Sequence, residues 1–143
     1  MEAFRGLRIA TSGLSAERLR MDTISSNIAN AETTRGEDGK PYVRKVAVFQ
    51  SNLEEVYNRS KGTSSTKLNG IKAVGIDDDD SELPKVYNPS HPDADEEGFV
   101  TMPNVEITNE MVDLMVASRA YEANVSVFEA QKSMFLKTLE IGR

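Results

Sequence analysis

In the N-terminal stretch, small and apolar side chains recur at Ala3, Leu7, Ala10, Leu14, Met21, Ile24, Ile28 and Ala31, in alternating steps of four and three once Glu17 fills its slot. That spacing predicts an amphipathic helix with a heptad seam interrupted by one polar residue. At ~1.5 Å per residue, a helix from Ala3 to Ala31 would extend roughly 43 Å, long for a small globule. Gly6 and Gly13 lie inside it and cost about 1 kcal/mol each relative to alanine, so the segment is expected to be mostly unfolded by itself. Asn27, Asn30, Thr33, Thr34, Gly36, Asp38, Gly39 and Pro41 then supply stop and turn residues, which places the helix end near Ala31 to Thr33.

The C-terminal segment carries the strongest periodicity. Met111, Leu114, Ser118, Tyr121, Val125, Phe128, Lys132, Phe135 and Leu139 follow one another in alternating steps of three and four, the spacing of a coiled-coil seam. Lys132 within it is either a register device or a stem that snorkels past a neighbour. Val112, Met115, Val116, Val127, Met134 and Leu136 widen the apolar face, which predicts contact with more than one neighbouring helix. Asn104 or Thr108 is placed to cap the start of this helix. From Val105 to Ile141 it would run roughly 55 Å.

Between the helices, Tyr42 to Phe49, Ile71 to Ile76, Lys85 to Tyr87 and Phe99 to Met102 are rich in β-branched and aromatic types, which predicts three or four short strands. The polar stretch from Asn58 to Thr66, the acidic run Asp77 to Asp80 and the loop from Pro89 to Gly98 are expected to be mobile connections. The expected fold class is therefore α+β. An N-terminal coiled-coil helix spans residues 1–34, a small β-rich domain 35–103 and a C-terminal coiled-coil helix 104–143.

Composition narrows the function. With 38% hydrophobic residues and 28% charged ones, a large core in an isolated copy is doubtful. A net charge of -6 repels phosphate on average, so the expected partners are proteins, not nucleic acid. There are no cysteines, which removes disulfides and thiolate zinc sites. No stretch approaches the ~20 apolar residues of a membrane span. Arg5, Arg8, Glu17 and Arg18 interrupt every apolar run near the start, so a route out of the cytoplasm is expected to be an uncleaved one.

Candidate chemistry is sparse. Asp93-x-Asp95-x-Glu97-Gly98 copies the opening of a calcium loop, but Asn104 stands where the bidentate glutamate belongs, and Pro89 and Pro92 bar an entering helix. A solvated turn is the favoured reading. Asp77 to Asp80 reads as a solubilising loop. His91 is the only histidine and has no Gly-x-Ser-x-Gly elbow beside it, so it reads as a turn residue. The expectation is a chain without catalytic residues, cofactor or metal.

Two long amphipathic helices flanking a β unit too small to cover them leave apolar stripes for other molecules to bury. Pairing the helices within one chain hides part of each, across a separation of about 70 residues whose closure entropy grows slowly. The remainder points to other copies, and a heterologous contact of that kind generates filaments or tubes. The expected assembly interface comprises Leu7, Leu14, Met21, Ile24, Ile28, Met111, Leu114, Tyr121, Val125, Phe128, Phe135 and Leu139. The alternative reading is a cytoplasmic coiled-coil binding module.

The segments Ser12-Gly13-Leu14-Ser15-Ala16-Glu17-Arg18-Leu19-Arg20-Met21 and Ser26-Asn27-Ile28-Ala29-Asn30-Ala31-Glu32-Thr33-Thr34-Arg35 resemble the N-terminal motif of the bacterial flagellar axial protein family, which includes rod, hook and rod-cap proteins. Pro89 to Val100, Pro103-Asn104-Val105, Glu110 to Asp113 and Ser118 to Asn124 are similar to the proximal-rod group of that family. The resemblance implies a structural subunit of the basal body, exported uncleaved through the flagellar type III apparatus. It also implies assembly in the periplasm with copies of itself and other rod proteins, and a role in transmitting torque.

Overall fold

A computed structural model describes residues 2–36, 38–58 and 63–141; the side chains of residues 2–3, 54–58 and 63–68 lie outside the description. The fold is α+β, as the sequence predicts, with a long helix toward each end and β structure between them. Helix α1 spans Glu2–Ala29 and helix α2 spans Ile107–Ile141. Strands β1 (Lys45–Asn58) and β2 (Thr63–Asp78) form one two-stranded sheet, and β3 (Lys85–Tyr87) and β4 (Phe99–Thr101) form another.

Helix α1 ends close to the expected place because its last turn closes on itself. The Asn30 N–H reaches both the Ser26 and Asn27 carbonyls, at 3.1 and 3.2 Å. The Asn30 side chain also donates to the Ser26 carbonyl at 2.8 Å, a second bond on an acceptor of the last turn. Helix α2 starts two residues later than expected and without the expected cap. Thr108 lies inside the helix, and the Asn104 side-chain oxygen accepts the Arg44 N–H at 2.7 Å.

The first two strands are far longer than predicted. β1 continues to Asn58 and β2 begins at Thr63, so most of the stretch expected to be a polar loop is strand, and residues 59–62 lie outside the described residues. The described side chains of this ribbon are largely exposed, Leu53, Val74 and Ile76 among them. A ladder held by backbone bonds and largely exposed needs no apolar alternation, so the polar residues gave no warning. The short pair β3 and β4 is antiparallel with Val86 opposite Val100, and the Tyr87 and Phe99 rings meet edge to face at 5.3 Å.

The chain divides into two compact units: Met1–Leu19, Val48–Gly75 and Ala117–Arg143 make the first, and Arg20–Ala47 and Ile76–Val116 the second. Among the described residues, the buried apolar ones of the first unit are Ala10, Ala16 and Ala117. Those of the second are Ile24, Ala31 and Val100, beside the buried polar Thr23, Asn27 and Glu110. So few buried apolar side chains, most of them alanines, give little area to bury, so both interiors are thin among the described residues.

Candidate assembly surface and the polar clamp

In the second unit the start of β1 is held by a network of polar side chains. Arg44 Nε donates to Glu110 Oε1 at 2.7 Å and its Nη1 donates to Asp79 Oδ2 at 3.0 Å. Its Nη2 lies 3.8 Å from Asp113 Oδ2. Burial alone would lower the Arg44 pKa, but the hydrogen bonds to Glu110 and Asp79 outweigh it and the net direction is upward. The Asp79 carboxyl is held below its ordinary value by the Ser81 N–H and then by Arg44.

Glu110 is only 1% exposed and its second oxygen accepts from Asn27 Nδ2 at 3.0 Å. Asn27 also pairs with the main chain of Lys45 in both directions, donating to its carbonyl at 2.9 Å and accepting its N–H at 2.9 Å. The Tyr42 hydroxyl donates to Asn27 Oδ1 at 2.9 Å. Asn104 completes the clamp: its Nδ2 donates to the Asp79 and Ser81 carbonyls, each at 3.2 Å. A buried carboxylate is tolerated here because a cation and an amide both face it.

The sequence marks none of these residues as part of a clamp, and Asp79 corrects the reading of the acidic run. Asp77, Asp78 and Asp80 are exposed, while Asp79 is half-buried and committed to Arg44. The one available signal was Glu110, a charge adjacent to an apolar helical row, which a period shifted by one residue would have placed inside.

The structure keeps half of the expected row and adds the positions one residue before the other half. The inward positions of α2 alternate Glu110, Ala117, Asn124 and Gln131 with Leu114, Tyr121, Phe128 and Phe135, all buried or half-buried. Of the positions expected at the interface, Leu7, Leu14, Met21, Ile28, Leu114, Tyr121, Val125, Phe128 and Phe135 are half-buried and Ile24 is buried. Met111 and Leu139 are exposed, at 55% and 57%, and Lys132 is exposed as well. In the first unit the Phe4 and Phe135 rings pack edge to face at 5.2 Å, so the helices do pair within the chain.

Elsewhere along α2, apolar groups stand in solvent. Met111, Val112, Met115 and Val116 are exposed in the second unit. Val127, Met134, Leu136, Leu139 and Ile141 are exposed in the first, Ile141 at 86%.

The loop with the calcium-like spacing is a turn whose two aspartates are already engaged with the protein. Asp93 accepts from the Thr34 hydroxyl at 2.8 Å and lies 3.7 Å from the Arg35 guanidinium. Asp95 Oδ1 accepts the Glu97 and Phe99 N–H groups at 3.0 and 2.8 Å. His91 Nδ1 accepts the Asp93 N–H at 3.1 Å. Among the described residues no group of three or more carboxylate or imidazole side chains is placed to hold a metal ion. Among them, too, no helix is long and apolar enough to cross a membrane.

Two family models match the chain, one at each end. Residues 7–35 match the flagella basal body rod protein, and residues 96–141 match the C-terminal part of the flagellar basal body rod FlgEFG proteins. Both describe one class, components of the flagellar basal-body rod. The chain is 44% identical over 150 residues, covering all of both chains, to the flagellar basal-body rod protein FlgC of Bacillus subtilis (strain 168). It is 42% identical to FlgC of Borreliella burgdorferi over 99% of this chain and 98% of that one, and 42% identical to FlgC of Escherichia coli O157:H7 over 94% of each. The chain belongs to the FlgC family of flagellar basal-body rod proteins. The family is one of structural rod subunits, not of enzymes.

Proposed function

We propose that this chain polymerises through its terminal helices, with copies of itself and with other rod proteins, into the proximal part of a tubular drive shaft that carries torque. The exposed apolar side of α2 supports this reading most directly. Val127, Met134 and Ile141 occupy one side of a helix whose opposite side is already covered by the rest of the chain. A row of that kind in water stabilises a contact with a second helix. The clamp at Arg44 supports a mechanical role, because charge-assisted hydrogen bonds hold the entry of β1 in a fixed direction.

The reading also takes in the three-part organisation, with assembly in residues 1–34 and 104–143 and the β-rich part 35–103 between them. It places the assembled chain in the periplasmic rod, delivered uncleaved by the flagellar type III export apparatus; family membership supports that part.

Val127→Asp and Met134→Asp test it, since both side chains are exposed and a charge there leaves the separate chain its fold. The expected result is wild-type abundance and export with no incorporation into basal bodies and no swimming. Incorporation and swimming at wild-type level in both variants would overturn it. Val125→Asp, at a half-buried position, is expected to abolish assembly too, but with some loss of stability.

A further inference from the structure

We propose that the register of α1 against α2 in the first unit is set by two glycine–amide layers, Gly6 opposite Gln131 and Gly13 opposite Asn124. A Cβ at Gly6 would stand 2.8 Å from Gln131 Oε1 and 2.9 Å from its Nε2. A Cβ at Gly13 would stand 3.0 Å from Asn124 Nδ2 and 3.2 Å from its Oδ1. Each amide therefore fills the space that a missing side chain leaves. The glycines are one heptad apart going up α1 and the amides one heptad apart going down α2, so the two layers fix one antiparallel alignment.

The apolar contacts alone do not. Leu7 and Leu14 on one helix and Tyr121, Phe128 and Phe135 on the other repeat at the same heptad spacing, and hydrophobic attraction is non-directional. A slip by one heptad keeps an apolar side chain opposite an apolar side chain. A slip by half a heptad sets an amide against Ile9 or Ala10, whose side chain occupies the space. Within the first unit, the layers at Gly6 and Gly13 distinguish these alignments.

The layers are not there for strength. Gln131 Oε1 is buried without a hydrogen-bond partner, a state that costs stability. A polar side chain kept in a seam at such a cost selects register. The second unit also has a polar pair between the helices, Asn27 with Glu110.

Because the chain has no cysteines, disulfide trapping reads the alignment directly. Phe4→Cys with Phe135→Cys reports the observed register, in which the two rings are 5.2 Å apart. Phe4→Cys with Phe128→Cys reports a slip of one heptad. The full-length chain is oxidised at a concentration where circular dichroism shows both helices formed, and the intramolecular product is separated from intermolecular disulfides on a non-reducing gel. The first pair is expected to close at least about tenfold faster than the second. With Asn124→Leu and Gln131→Leu added, the two rates are expected to come within about twofold. A preference that survives both leucines, or equal rates with the amides in place, overturns the assignment.

A milder variant covers a failure of the leucine chain to fold. Gly6→Ala is expected to slow closure of the 4/135 pair several-fold, and Gln131→Ala to restore it. Closure at the unmodified rate in Gly6→Ala would overturn the assignment just as surely.

Discussion

Lys45, the first residue of β1, finds partners for both of its main-chain groups on the side chain of Asn27. The same amide faces a glutamate that Arg44 neutralises. Removing that cation leaves Glu110 buried and uncompensated, so Arg44→Ala is expected to destabilise the chain by about 3 kcal/mol in urea unfolding. Arg44→Ala combined with Glu110→Leu should recover most of the loss; no recovery would mean that Arg44 acts through something other than Glu110.

Asp79 titrates in the opposite sense to Arg44. Its folded-state pKa lies below the ordinary 3.8, so its contribution is complete above that value and disappears as pH falls through the folded one. The stability difference between the unmodified chain and Asp79→Asn should therefore be full at neutral pH and shrink as the pH falls below the ordinary 3.8. A gap independent of pH would remove Asp79 from the clamp. These residues were hidden in the sequence because each is ordinary in its own window: an acidic run, an arginine in a strand, a glutamate in a first helical turn.

At the scale of elements, α1 and α2 were the most legible features, since a heptad repeat sustained over many turns brings its apolar residues onto one side only if the chain is helical. The turn from Asn88 to Gly98 was legible through its prolines, glycine and aspartates, and Gly98 takes the left-handed φ of 84° that such a turn requires. The length of the β1 and β2 ribbon was not legible, because an exposed ladder leaves no periodic signature. Its docking on α1 turns on Gly70. There φ is 93°, and a side chain would run into the Ser12 hydroxyl, which accepts the Ile71 N–H at 3.2 Å.

Arg8 adds a bond to Asn69 at 3.2 Å beside it. Gly70→Val should cost about 1–3 kcal/mol through backbone strain and that collision. Gly70→Ala combined with Ser12→Ala should cost less. Equal melting temperatures for Gly70→Val and the unmodified chain would show that the ribbon does not depend on this approach.

At the scale of the whole molecule, two thin interiors and an uncovered apolar row bear on how the separate chain behaves. Isolated helices of this kind are marginal in water and gain most of their stability from packing. Helical content by circular dichroism is therefore expected to rise with protein concentration, over the range where sedimentation shows larger species. A monomer with constant, full helicity on dilution would contradict it.

The amino-acid sequence by itself determined that this chain has two long amphipathic helices, a modest β part and more apolar surface than one copy can hide. Those properties follow from periodicity and composition, which are local. Only the tertiary structure decided which row of α2 joins Leu114, Tyr121, Phe128 and Phe135 on its inward side. A heptad row and its neighbour one residue away differ by about 100° around the helix, and the choice between them rests on what stands opposite. Here that was a glycine for an amide, and an arginine and an asparagine for Glu110.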